Sequence, residues 1–150
     1  MGFTLKIRYH VQFIQALVEA LAGNAYLSLE GDLSRCAADI ERVPGMSRQG
    51  TATLRRNTLV PQGDFAILPI EPTTQERIIC RILPRVGVHC RVWHVCLQKD
   101  DALQFAAFDT FQYSYAGDAI PEELLKTLVD RGVLRSYQRV ENGAAALPEG

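Results

Sequence analysis

The sequence predicts an α+β fold, a mostly antiparallel sheet flanked by an N-terminal and a C-terminal helix. Three observations predict it. Residues 76–112 read as a meander of three short strands. Two further alternating segments, near 25–30 and 64–70, supply more strands. Two amphipathic segments with helical spacing stand near the two ends of the chain.

The meander holds most of the interesting chemistry. Arg77 to Leu83 and Val88 to Leu97 are rich in β-branched residues, and Pro84-Arg85-Val86-Gly87 between them has a turn composition. Leu103 to Phe111 reads as the third strand, after the polar stretch Gln98 to Ala102. Strands this short and closely joined pair antiparallel, because a parallel pair needs a long crossover.

Side chains alternate across a strand. The first strand then shows Ile78, Cys80 and Ile82 on one face and Arg77, Ile79 and Arg81 on the other. The second shows Val88, Cys90, Val92, His94 and Cys96 against His89, Arg91, Trp93, Val95 and Leu97. Matching the apolar sets pairs Cys80 with Cys90, Arg81 with His89 and Arg77 with Trp93. In the second hairpin the same logic sets Val95 against Phe105 and Arg91 against Asp109. A tighter turn at Asp100-Asp101 would shift that register.

The first helix is expected from Tyr9 to Leu21, with Val11, Ile14, Leu17, Val18 and Leu21 as its stripe and Gly23-Asn24 as its stop. Residues 3–9 fit both a strand and an extension of that helix. Ala25 to Glu30 alternates as a strand. Residues 34–43 suit a short helix, 43–50 a loop, and 51–59 are weakly β. Asp64 to Ile70 is a strand, and Pro69, which cannot donate to a ladder, suggests an edge or a strand end. The last helix runs from Pro121 to Arg131, with Glu122 and Glu123 at the positive end of its dipole and Leu124, Leu125, Leu128 and Val129 as its stripe. Residues 1–140 are expected to form a single α+β domain, and 141–150 a disordered tail.

Composition sets limits on function. Of 150 residues, 47% are hydrophobic and 22% charged, which suits a globular protein with a core of its own. Sixteen basic and seventeen acidic side chains leave a net charge of −1, so nucleic acid is not an expected partner. No leader pattern and no apolar run of membrane-spanning length is found, and Lys6 stands where a myristoylation signal has Ser or Thr. The expected compartment is the cytoplasm, no membrane is expected as a partner, and the four cysteines are expected as reduced thiols.

The candidate binding residues are Arg77, Arg81, His89, Arg91 and Trp93, which the meander reading gathers on one sheet face. Arginines beside an indole bind anions or bases, and Arg and Trp are frequent interface anchors. The plain alternative is a solvated face whose arginine stems shield Trp93 and whose Arg91 pairs with Asp109. That same face carries Ile79, Val95, Leu97, Leu103 and Phe105, so something must cover it: the last helix or a second subunit. The resulting expectation is a non-catalytic binding or regulatory domain acting through protein–protein contacts as a homodimer. The competing expectation is a small-molecule-binding protein or enzyme with a pocket at the strand ends near Glu30, Asp32 and His89.

No catalytic residue is assigned. Glu30, Asp32 and Asp64 sit at strand ends, but no motif ties them to one pocket, and turn chemistry at Gly31-Asp32 explains them as well. Cys90, His94 and Cys96 share a face, yet Cys90 and Cys96 would lie about 20 Å apart along a strand, too far for one zinc ion. A Cys80–Cys90 disulfide would need an oxidising compartment. Neither a Gly-rich phosphate loop nor a nucleophile elbow is present, and no metal or cofactor is expected.

Overall fold

A computed structural model describes residues 2–58, 63–86, 91–108 and 111–140. Seven strands form one sheet: β1 (Gly2–Ile7), β2 (Ala25–Asp32), β3 (Asp64–Ile70), β4 (Arg91–Lys99), β5 (Ala102–Phe108), β6 (Tyr113–Ala116) and β7 (Leu134–Val140). Their spatial order is β3-β2-β4-β5-β6-β1-β7, and every neighbouring pair is antiparallel. The helices are α1 (His10–Leu21), α2 (Ala37–Glu41), α3 (Gln75–Arg77) and α4 (Glu122–Asp130). A 3-10 turn at Ser34–Cys36 leads into α2. The predicted fold class therefore holds. The tail at 141–150 lies outside the described residues.

The helices gather on one face of the sheet. Phe13, Ile14, Leu17, Val18 and Leu21 of α1 and Leu125 and Leu128 of α4 join the inward residues Phe3, Leu27, Leu29, Val95, Leu97, Phe105 and Ala107 in one core. Both helices follow the predicted stripes, because an apolar face at 3.6-residue spacing has few other places to go. The C-terminus of α1 is closed by distant side chains. The Gln75 amide donates to the carbonyls of Val18 and Glu19, at 3.2 and 3.0 Å, and Lys99 Nζ donates to those of Ala22 and Gly23. These satisfy carbonyls that a helix end leaves without partners.

The meander is corrected at its first strand. Residues 75–85 are helical: α3 runs on through a π-helical turn, Ile78–Ile82, and a 3-10 turn, Leu83–Arg85. A strand would bury Ile78, Cys80 and Ile82 together. Instead Ile78, Ile82, Leu83 and Val86 are buried while Cys80 is exposed. The apolar positions 78, 82 and 83 fit the helical period, and Thr74 supports the start: its hydroxyl donates to the Pro69 carbonyl at 2.6 Å and accepts from the Glu71 amide at 2.9 Å. The β-branched bias of the segment yields to tertiary packing against α1, where the Gln15 amide donates to the Ile79 carbonyl.

With that strand gone, the pairing of Arg77 with Trp93 does not occur. Those proposed for Arg81 and Cys80 involve His89 and Cys90, outside the described residues. The three-strand meander is real but lies further along, as β4-β5-β6. Its first turn is the tighter one: Asp100 and Asp101 both have positive φ, 50° and 65°, as a two-residue type I′ hairpin requires. Val95 thus faces Ala107 and Leu97 faces Phe105, with a bulge between Leu97 and Gln98. Asp109, the proposed partner of Arg91, is outside the described residues.

The strand β3 lies at the sheet's edge, as Pro69 suggests. β1 resolves the ambiguity of residues 3–9, whereas 51–58 contain no strand. Neither β6 nor β7 stood out in the sequence. Among the described residues the reduced-thiol expectation fails at Cys36. Cys36, buried at the start of α2, is disulfide-bonded, while Cys80 and Cys96 are free.

Candidate functional site

The second face of the sheet is closed by the chain itself. Leu54 packs there on Phe65, Ile67, Cys96, Ala106 and Phe108, with Tyr26 and Leu103 at the margin. The covering segment, residues 45–58, is held at both ends. Ser47 and Ile67 exchange two backbone hydrogen bonds of 3.0 and 2.7 Å. At the other end stands Glu30, a carboxylate only 1% exposed.

Glu30 faces this side of β2, with His94 and Phe65 as its register partners. Its carboxylate accepts from the Asn57 amide at 2.8 Å and the Thr58 amide at 2.7 Å, and from the Thr58 hydroxyl. A buried charge is tolerated only when donors surround it, and these donors do so. Thr58 passes the connection on by accepting from the Gly63 amide at 2.9 Å. Glu30 is therefore a clamp for the loop. Its carboxylate is already engaged by three donors of that loop, the Asn57 and Thr58 amides and the Thr58 hydroxyl.

A bulge lies beside the clamp. β2 and β4 shift register between Glu30 and Gly31, so Trp93 has no partner on β2. Gly31 makes the bulge fit: a Cβ there would fall on the carbonyl oxygen of Arg91. Trp93 is half-buried and lies against Gly63, where a Cβ would come within 2.6 Å of the indole.

The other acids at the strand ends do local work. Asp32 accepts from the Ser34 hydroxyl at 2.8 Å and the Ser34 amide at 3.3 Å, and these bonds hold its carboxyl below the usual range. Asp64 accepts from the Leu33 amide at 3.0 Å. His94 tilts against Phe108, with ring centroids 5.5 Å apart. Burial pushes the Cys96 thiol up to about 12, so it is protonated and inert at neutral pH. Among the described residues no group of three or more His, Cys, Asp or Glu could hold a metal ion.

The five predicted binding residues do not share one face. Arg77 and Arg81 lie on the helical segment 75–85, one turn apart. Arg91 and Trp93 lie on β4, and His89 is outside the described residues. Arg77 and Arg81 line an open cleft of about 430 Å³ together with Thr73, Glu76 and Cys80. Among the described residues neither arginine is in an ion pair, whereas the nearby Arg85 is bound to Asp39 at 2.9 Å. Sequence reasoning missed Thr73, Glu76 and Cys80 as neighbours of these arginines. The signal was present: Pro72 and Thr74 ahead of Gln75-Glu76 mark a helix start, which puts 73, 76, 77, 80 and 81 on one stripe.

No described helix is long and apolar enough to cross a membrane. Comparison with family models, with curated proteins and with solved structures returned no match.

Proposed function

We propose that this protein is a non-catalytic binding domain that acts through protein–protein contacts and pairs first with a second copy of itself. The observation that carries this reading is the charge pattern of the 75–85 stripe. Glu76, Arg77 and Arg81 share one cleft, and none of them is in an ion pair among the described residues. Two such stripes packed antiparallel about a two-fold axis bring the acid of each copy to the arginines of the other. That self-complementarity is what an isologous contact requires. Arginine also ranks among the commonest interface anchors.

The enzyme alternative centred on Glu30, Asp32 and His89 has less support. Both carboxylates already accept hydrogen bonds that organise the backbone around them. The earlier reason for a dimer, a sheet face with Val95, Leu97 and Phe105 in need of a cover, is also weakened, because α1 and α4 bury those residues. The dimer surface is accordingly assigned to the helical stripe and not to Trp93.

Sedimentation velocity at micromolar concentration tests the reading. The wild type is expected to sediment as a dimer, Arg81→Glu as a monomer, and Glu76→Arg combined with Arg81→Glu as a dimer again. A monomeric wild type removes the self-association. A cytoplasmic home is part of the proposal, and there Cys36 would ordinarily be reduced. Trapping thiols in intact cells and then weighing the chain decides this: a retained disulfide argues for an oxidising compartment.

A further inference from the structure

A second cavity of about 430 Å³ lies between the 45–54 loop and the second face of the sheet. Its floor is apolar, made by the buried side chains of Leu54 and Ile67. Its wall on the sheet is the cross-strand pair Tyr26 and Gln98, which stand opposite each other on β2 and β4. Gln49 and Asp101 complete the rim. The loop is fixed at Ser47 and, through Asn57 and Thr58, at Glu30, so the space is formed before any ligand arrives. Volumes of roughly 300–1,000 Å³ are usual for small-molecule sites.

The lining selects by chemistry. It contains no basic side chain, and its single charge is the Asp101 carboxylate, so phosphates and carboxylates are repelled. The phenol of Tyr26, both glutamine amides and the Asp101 carboxylate make no hydrogen bond to other described residues, which leaves them for a ligand. Ser47 and Thr51 accept from the Gln49 and Leu54 amides, and each keeps its own O–H to donate. Asp101 also occupies a position of positive φ that hairpin geometry would readily give to glycine.

We infer that this cavity is a binding site for a neutral, polyhydroxylated ring ligand, a saccharide of one or two sugar units. A sugar ring has an apolar C–H face to lie on Tyr26 and a rim of hydroxyls that both donate and accept. An amide and a carboxylate lining one cavity, as Gln98 and Asp101 do, supply both a donor and an acceptor for sugar hydroxyls. A quaternary ammonium ligand would want several aromatic faces, and the cavity offers one.

The test is an amide-resolved NMR titration of the full chain with maltose, cellobiose and lactose in turn. Tetramethylammonium chloride and sodium phosphate are run beside them. At least one disaccharide is expected to shift the amides of residues 47–54 and Gln98, with saturation transfer to its ring protons. Gln49→Ala, an exposed side chain without intramolecular bonds, should leave the spectrum folded and weaken binding about fivefold. Silence with all three disaccharides overturns the inference. So do shifts produced by the ammonium or the phosphate alone, or binding that Gln49→Ala leaves unchanged. None of these outcomes depends on whether the chain is a dimer.

Discussion

The two faces of this sheet are closed in opposite ways. One is covered by amphipathic helices whose contribution is area: Phe13, Leu17, Phe105 and their neighbours are wholly buried there. The other is covered by a loop with a single large apolar side chain, Leu54, fastened by a buried carboxylate. The first face rests on many interchangeable contacts. The second rests on a few specific hydrogen bonds. Losses on the helical side should therefore spread through the whole fold, and losses on the loop side should stay local.

Four experiments would break or sharpen that contrast. The largest effect is expected from Phe105→Ala at the centre of the helical side, about 4 kcal/mol lost in denaturant unfolding. A loss below about 1 kcal/mol would mean that this core is not the dominant source of stability. Next comes the Cys36 disulfide, which also lies in the helical core. Reduction or Cys36→Ser should cost about 3 kcal/mol, read as a lower midpoint of thermal unfolding. An unchanged midpoint would show that the bond is incidental.

Glu30→Gln should cost about 2 kcal/mol, because it replaces charge-assisted acceptance by an amide that turns a donor toward donors. Hydrogen exchange should then quicken at Asn57 and Thr58 while the amides of α1 stay protected. Equal loss of protection on both faces would erase the distinction drawn between them.

The smallest effect concerns His10, at the start of α1. It stacks on Phe111 with centroids 4.2 Å apart, and burial lowers its pKa below the ordinary 6.5. The unfolded chain then binds this proton more readily than the folded one. The stability that neutral His10 contributes is complete above pH 6.5 and is lost as pH falls through its lowered folded value. Against His10→Gln, the wild type should lose thermal stability more steeply on acidification below that point. Parallel pH profiles would exclude the effect.

The same contrast explains what was legible in the sequence. Helices α1 and α4 were readable because amphipathic periodicity is a local signal. The strands β2 and β3 were readable for the same reason, and Pro69 correctly marked an edge. The loop clamp was not readable. Glu30 lies 27 residues from Asn57, and nothing local announces their contact. The segment 75–85 was misread because isoleucine-rich runs favour strands, while its i, i+4 spacing and the Thr74 start signal favoured a helix. That error also scattered the five candidate binding residues, since Arg77 and Arg81 move to a helix while Arg91 and Trp93 stay on β4.

The position of β1 between β6 and β7 has a consequence for how the chain is made. β1 has neither of its neighbours in the sheet until 113–116 and 134–140 have been synthesised. Until then its apolar side chains, Phe3 and Leu5, have no sheet to join. Translation speed through 113–140, and any chaperone that shelters β1 until then, should therefore affect the yield of this protein.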